Sequence, residues 1–136
     1  MDRLTPRERS KLMSRVRAGN TKPEIAVRRL LHALGYRFRL HRPDLPGHPD
    51  IVLPGRRKII FVHGCFWHHH PHCRKAMTPA THRAFWALKF KRNTQRDRQQ
   101  QRELNRMGWS VVVVWECETR NLETLRDRIS FELEID

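Results

Sequence analysis

Apolar positions recur at helical spacing from Ile25 to Leu34, with Leu30 and Leu31 inward and Arg28 and Arg29 outward. Thr21-Lys22-Pro23-Glu24 precedes this run as a capping box with proline in the first turn, and Gly35 supplies a stop. From Tyr36 to His41 apolar residues alternate with arginine, which is the period of a strand. Three prolines and Gly47 make Arg42–Pro49 a loop. Asp50–Leu53 then resumes as a short strand, Pro54-Gly55 turns, and Lys58–His63 (KIIFVH) is a buried strand. A helical stretch starts near Thr81 with Phe85, Trp86 and Leu88, crosses KRNTQRDRQQQRE, and ends at Leu104 and Met107 before Gly108. Its centre lacks an apolar stripe, so the pattern allows one helix or two. Trp109–Trp115 (WSVVVVW) is a central strand by its β-branched density, and Asn121–Phe131 is a closing helix.

Before Thr21 lies a basic arm, residues 1–20. Thr5-Pro6-Arg7-Glu8 is another capping box, predicting a short helix to about Arg17 that Gly19-Asn20 breaks. After the arm the order is α-β-β-β-α-β-α. That predicts one layered α/β domain over residues 21–136, with a mixed sheet covered by helices. The 136 residues suit a single core.

Charge narrows the function. Twenty-eight Lys and Arg face 14 Asp and Glu, a formal net charge of +14. That excess disfavours a simple metabolic enzyme and favours a polyanion, since each neutralised phosphate releases counterions. No apolar run reaches the roughly 20 residues of a membrane span, and the N-terminus has no apolar signal region. Three cysteines, without an export signal, favour metal binding or free thiols over disulfides.

Those cysteines have ligand spacing. Cys65-x4-His70-x2-Cys73 offers three soft donors, and Cys117 follows the last strand. If that strand lies beside Lys58–His63, Cys117 reaches Cys65 and completes a closed Cys3His site for structural Zn²⁺. His68, His69, His70 and His72 all lie between the two cysteines. His70 has the better spacing, and His72 is awkwardly adjacent to Cys73. The alternative is a pair of ordinary buried cysteines beside a fortuitous histidine run.

Phosphodiester hydrolysis needs charge neutralisation and an activated water. Asp50 is a poor strand former at a strand start, which suits either a turn cap or a Mg²⁺ ligand. His63 and His68 fall at the same sheet edge, and imidazole suits a general base. Glu24 is already explained by capping. Phe66 and Trp67, on a loop between metal ligands, and Trp86, on the following helix, either pack beneath the zinc site or wedge between base pairs. A non-catalytic zinc-containing DNA-binding module would use the charge, cysteines and aromatics, but not Asp50 or His68.

Together, Leu45-Pro46-Gly47-His48-Pro49-Asp50, Phe61-Val62-His63-Gly64-Cys65-Phe66-Trp67-His68, Pro79-Ala80-Thr81 with Phe85-Trp86, Arg96-Asp97-Arg98, and Gly108-Trp109 through Trp115-Glu116-Cys117 resemble the very short patch repair (Vsr) endonucleases. The resemblance implies a restriction-endonuclease-like fold. It implies Mg²⁺-dependent nicking of duplex DNA, 5′ of the mismatched T in T:G pairs left by 5-methylcytosine deamination. Asp50 would hold Mg²⁺ with the Val62 carbonyl, His68 would activate water, His63 would assist at the phosphate, and Glu24 would orient a histidine. Phe66, Trp67 and Trp86 would intercalate; Cys65, His70, Cys73 and Cys117 would hold zinc; the arm would embrace the duplex. A monomer in a bacterial-type cytoplasm, at the nucleoid, is expected, with a functional link to a cytosine-5 DNA methyltransferase and later repair proteins. Two departures stand out. Val62 replaces a frequent threonine, and His68–Cys73 is one residue longer than in some relatives. The acidic-x-Lys of the broader nuclease fold is also absent, with Phe61-Val62-His63 in its place.

Overall fold

The computed structural model describes residues 21–135. The basic arm, its short helix and its expected embrace of the duplex fall outside the described residues. Helix α1 spans Lys22–Ala33, β1 Arg39–Leu40, β2 Ile51–Leu53 and β3 Lys58–His63. Helix α2 spans Arg83–Arg106, β4 Ser110–Trp115 and α3 Leu122–Glu134. The predicted order therefore holds, and the long polar stretch is one helix.

The sheet order is β1-β2-β3-β4. The first three strands are antiparallel, and β3 runs parallel to β4 with His63 opposite Trp115. Alternation along the strands sorts their side chains to two faces. Ile51, Leu53, Ile60, Val112 and Val114 face α1 and α3, meeting Val27, Leu31, Leu125, Ile129 and Leu133. Val52, Ile59 and Phe61 face the other way, toward Leu104 and Trp109. The sheet is thus a middle layer between helices, with α2 alone on one side. Its parallel β3–β4 pair requires the long crossover that α2 supplies.

Two local expectations change. The Tyr36–His41 strand shrinks to two residues, because β2 is only three long before Pro54 and offers partners to Arg39 and Leu40 alone. Tyr36 instead donates its hydroxyl to Glu134 at 2.6 Å, tying the β1 approach to the end of α3. Arg28 is not an outward residue: its side chain is 18% exposed and pairs with Glu24 at 3.0 Å. Helix α1 does end as its sequence demands. Gly35 takes φ +84, and the Tyr36 N–H returns to the Leu31 carbonyl. No helix among the described residues is long and apolar enough to cross a membrane.

Candidate active site and metal centre

Strand β3 outruns β2. Pairing stops at Ile51 opposite Ile60, leaving Phe61, Val62 and His63 without a backbone partner on that edge. The Asp50 side chain fills part of the gap, its Oδ2 accepting from the Val62 N–H at 2.8 Å. Burial pushes the Asp50 carboxyl up to about 6, against the pull of that hydrogen bond. Its charge also feels Glu24, His41 and His68. Glu24 is 1% exposed, and its carboxylate meets His41 Nε2 at 2.6 Å. Glu24, His41 and Asp50 bring one ligand atom each to within 4.8 Å of one another. The capping role of this segment survives on the backbone, where Thr21 accepts from the Glu24 N–H at 3.4 Å. The Glu24 carboxylate faces inward to His41, a histidine that the strand pattern of Tyr36–His41 concealed.

His63 and His68 meet at the same pole. Their rings stack with centroids 3.7 Å apart and planes 3° from parallel. His63 is 5% exposed, and its Nδ1 is buried with no hydrogen-bond partner among the described residues. Burial, reinforced by the neighbouring His68 charge, pushes the His63 ring down to about 3. His68 is held from the other side, its Nδ1 lying 2.7 Å from Asp97 Oδ2 on α2. That leaves Nε2 without a hydrogen-bond partner among the described residues. Asp97 went unrecognised as a site residue because it sits in the polar centre of a helix, where an acidic residue needs no special reason.

The second cluster gathers Cys65, His70, Cys73 and Cys117, all four ligand atoms within 4.8 Å of one another. The β3–β4 register carries Cys117 there, as the 3-10 turn Glu116–Arg120 continues directly from β4. His70 Nδ1 lies 3.7 Å from Cys65 Sγ and 3.5 Å from Cys117 Sγ. Two donors at about 2.3 and 2.1 Å from one tetrahedral ion would be separated by about 3.6 Å. The donor set and spacing therefore fit a four-coordinate soft cation. Two other histidines of the run are engaged elsewhere: His68 with Asp97, and His69 on the Phe90 ring at 4.6 Å. Glu116 braces the centre, accepting from the Cys65 N–H at 3.4 Å and pairing with Lys75 at 3.6 Å. The His70 ring stacks on Trp115 at 4.1 Å, and Trp115 meets His63 edge-on at 5.3 Å.

The aromatics form a third group. Phe66 packs edge-on to Trp67, Trp86 and Phe90 at 5.1, 5.3 and 5.2 Å. Phe66, Trp67 and Trp86 are half-buried, while the neighbouring Phe85 is 59% exposed. These rings sit at the seam between the loop and α2. Trp115, rather than they, packs on the metal-centre histidine.

Comparison with known proteins places the chain among nucleases. The family described as DNA mismatch endonuclease Vsr matches residues 1–75. The type II nicking enzyme V.XorIIP of Xanthomonas oryzae pv. oryzae is 52% identical over 128 residues, covering 94% of this chain and 93% of its own. The type II nicking enzyme V.NmeAIP of Neisseria meningitidis is 39% identical, covering 95% and 91%. The DNA mismatch endonuclease Vsr of Escherichia coli is 44% identical, covering 88% of this chain and 76% of its own.

Proposed function

The chain belongs to the DNA mismatch endonuclease Vsr family, and on that premise we propose that it nicks duplex DNA 5′ of the mismatched T in T:G pairs. As a member it is a DNA endonuclease, which removes the non-catalytic zinc module as a reading. The observation that carries the proposal is the pole where Asp50, His63 and His68 converge beside half-exposed Phe66 and Trp67. Chemistry for a phosphodiester and rings for a base stack share one loop. The α/β layering and element order support a restriction-endonuclease-like architecture.

Asp50 and the Val62 carbonyl are the proposed Mg²⁺ ligands. One Asp50 oxygen is fixed by the Val62 N–H, which leaves the other for a cation. A divalent cation bound there would neutralise charge on the scissile phosphate. His68, its Nδ1 proton donated to Asp97, presents the Nε2 lone pair to a water. As the water oxygen bonds to phosphorus, His68 takes its proton and the P–O bond to the leaving oxygen breaks. His63 stays neutral at its depressed pKa and, stacked on His68, is the proposed aid at the phosphate. Glu24 and His41 keep the Asp50 pocket polar from the α1 side.

Cys65, His70, Cys73 and Cys117 are the proposed zinc ligands, closed and structural because all four positions are filled by protein. The ion would pin the loop bearing Phe66, Trp67 and His68. With Trp86, the two rings would enter the stack beside the mismatch, where unstacking costs least. The basic surface would hold phosphates, and one active site per chain suits a monomer cutting one strand. A companion cytosine-5 methyltransferase setting the sequence context goes with this reading, because the T:G pairs in question arise by deamination of 5-methylcytosine.

The test is a nicking assay with Mg²⁺ on labelled T:G and T:A duplexes, comparing wild type with Asp50→Ala. The expected result is one nick 5′ of the mismatched T, abolished in Asp50→Ala. Equal cutting of both duplexes would remove the mismatch reading, and undiminished activity in the variant would remove the metal ligand.

A further inference from the structure

The parallel register sets His63 on β3 beside Trp115 on β4. Alternation puts both on the α2 face of the sheet, with Phe61 and Val113 two residues before them. Three rings pack around His63. His68 stacks on it at 3.7 Å, Trp115 meets it edge-on at 5.3 Å, and Phe61 lies tilted at 5.6 Å. Its Nδ1 has no hydrogen-bond partner among the described residues. Packing, rather than a hydrogen bond at that atom, therefore sets the angle of the ring.

Trp115 has a second neighbour. Its indole is stacked on His70, with centroids 4.1 Å apart and planes 12° from parallel. His70 is the imidazole of the cysteine cluster, its Nδ1 lying 3.7 Å from Cys65 Sγ and 3.5 Å from Cys117 Sγ. One indole thus touches both a proposed zinc ligand and the inner ring of the histidine stack. We propose that Trp115 is a positioning residue that couples the seating of His70 at the metal centre to the placement of the His63–His68 stack. The proposal rests on the reading of His68 as the base and of the cysteine cluster as a zinc site.

The physical reason lies in the order of the rings. Ligation through Nδ1 fixes the plane of His70, and a neighbour packed on that plane is fixed with it. The indole cannot tilt without giving up its stacked contact. Its edge in turn limits how far His63 can rotate, and His68 lies flat on His63. The tie from His68 Nδ1 to Asp97 holds one atom of that ring, while His63 is the wall that holds its face. Without the indole, His63 is freed to rotate and the Nε2 of His68 loses its fixed aim at the water. Coupling between two sites is reciprocal. A disturbed His63 therefore loosens the metal centre only while Trp115 stands between them.

Trp115→Leu keeps an apolar side chain and removes the aromatic faces, and Trp115→Phe keeps one ring. Neither replaces a proposed ligand of either cation. The readouts are single-turnover nicking of a T:G duplex with zinc added, zinc per chain, and the rate of zinc release to a chelator. In Trp115→Leu we expect the maximal rate to fall about tenfold, with the half-saturating duplex concentration within about twofold and zinc at one per chain. Trp115→Phe recovers most of the rate. Release is measured in a cycle with His63→Ala. That substitution is expected to speed release about fivefold in the wild-type background and to leave the rate of Trp115→Leu unchanged.

A wild-type nicking rate in Trp115→Leu overturns the coupling. So does equal speeding of release by His63→Ala in both backgrounds. A lowered rate that comes with lost zinc, even with zinc added, makes Trp115 a brace of the metal centre alone and overturns it too. The release cycle reads no activity, and Trp115→Met supplies it where Trp115→Leu does not fold. A His68→Ala variant that nicks as fast as wild type overturns the reading of His68 as the base, while the release cycle still decides whether the rings are coupled. A wild type that holds no zinc overturns the metal reading, and the coupling with it.

Discussion

The imidazoles of His63 and His68 lie face to face, 3.7 Å between centroids and 3° from parallel. Two charged rings at that separation would repel strongly, and burial holds His63 neutral down to about pH 3. The stack therefore gives His68 an uncharged wall on one side and the Asp97 carboxylate on the other. His68→Ala should lower single-turnover nicking by roughly 10²–10⁴-fold, the range for a lost acid–base group. Asp97→Asn should cost a large part of that by failing to fix the tautomer, with DNA affinity unchanged in both. Rapid-quench rates with a parallel binding titration check this.

Asp50 links activity to stability. Its folded value of about 6 lies above the ordinary 3.8, so its contribution is favourable below pH 3.8 and is lost as pH rises through 6. At neutral pH the ionised group costs the cation-free protein up to about 3 kcal/mol. Asn at this position keeps an acceptor for the Val62 N–H and carries no charge. Asp50→Asn should therefore unfold at a higher temperature than wild type at pH 7.5 without cation, with the difference gone near pH 4. Cation affinity in the wild type should weaken as pH falls below 6, where a proton competes for the same oxygen. Calorimetric Mg²⁺ titrations across pH 5–8 report it.

Metal uptake at the cysteine cluster should release protons. Burial pushes the Cys65 thiol up to about 12, so without an ion it stays protonated at neutral pH. Cys73 is shifted down: desolvation opposes the shift, but the Lys75 and Ala76 backbone amides and the other two thiols outweigh it. A cation must displace the Cys65 proton, so affinity rises with pH. Calorimetry in buffers of different ionisation enthalpy measures the release, and metal analysis should find one tightly held zinc per chain. Cys73→Ser should lose the ion and destabilise the fold by more than about 4 kcal/mol, as lost metal sites do.

Trp67→Ala and Phe66→Ala should weaken preference for T:G over T:A without loss of zinc. A base stacked on an aromatic ring is worth about 1–3 kcal/mol. Each variant should lose about tenfold or more of T:G affinity while T:A binding, carried by phosphate contacts, stays level. Competition binding at fixed salt decides it.

Gly47→Ala should damage the Asp50 loop. Gly47 takes φ +78, and an added Cβ would lie 2.8 Å from Gln100 Oε1 and 3.1 Å from Phe61 Cζ. The glutamine tip can swing away, but the Phe61 ring is buried at 6% exposure. A cost of about 1–3 kcal/mol is expected from strain and crowding. Nicking should need more Mg²⁺, because Asp50 is only three residues on. Thermal unfolding and a cation-dependence curve test both parts.

Both apolar helices were legible because their burial has a helical period, and β3 and β4 because they are dense apolar, β-branched runs. So was the metal cluster, since ligand spacing and one strand pairing fix it. Asp97, Asn93 and His41 were not. Asp97 and Asn93 lie in a helix whose centre shows no apolar stripe, and the reason is now physical: that stretch of α2 faces a polar loop rather than a core. Asn93 meets Trp67, Asp97 meets His68, and Gln100 reaches Gly47. His41 sat in an alternating strand pattern that assigned it no role, and its partner Glu24 was accounted for as a cap.

That inward stripe of α2 has a consequence for how the gene can drift. An α-helix turns about 100° and advances about 1.5 Å per residue. Adding or dropping one codon between Trp86 and Leu104 would swing every later contact about a quarter turn out of line. Substitutions on the solvent side are cheap, as long as the count stays the same. In this segment the spelling is free and the length is not.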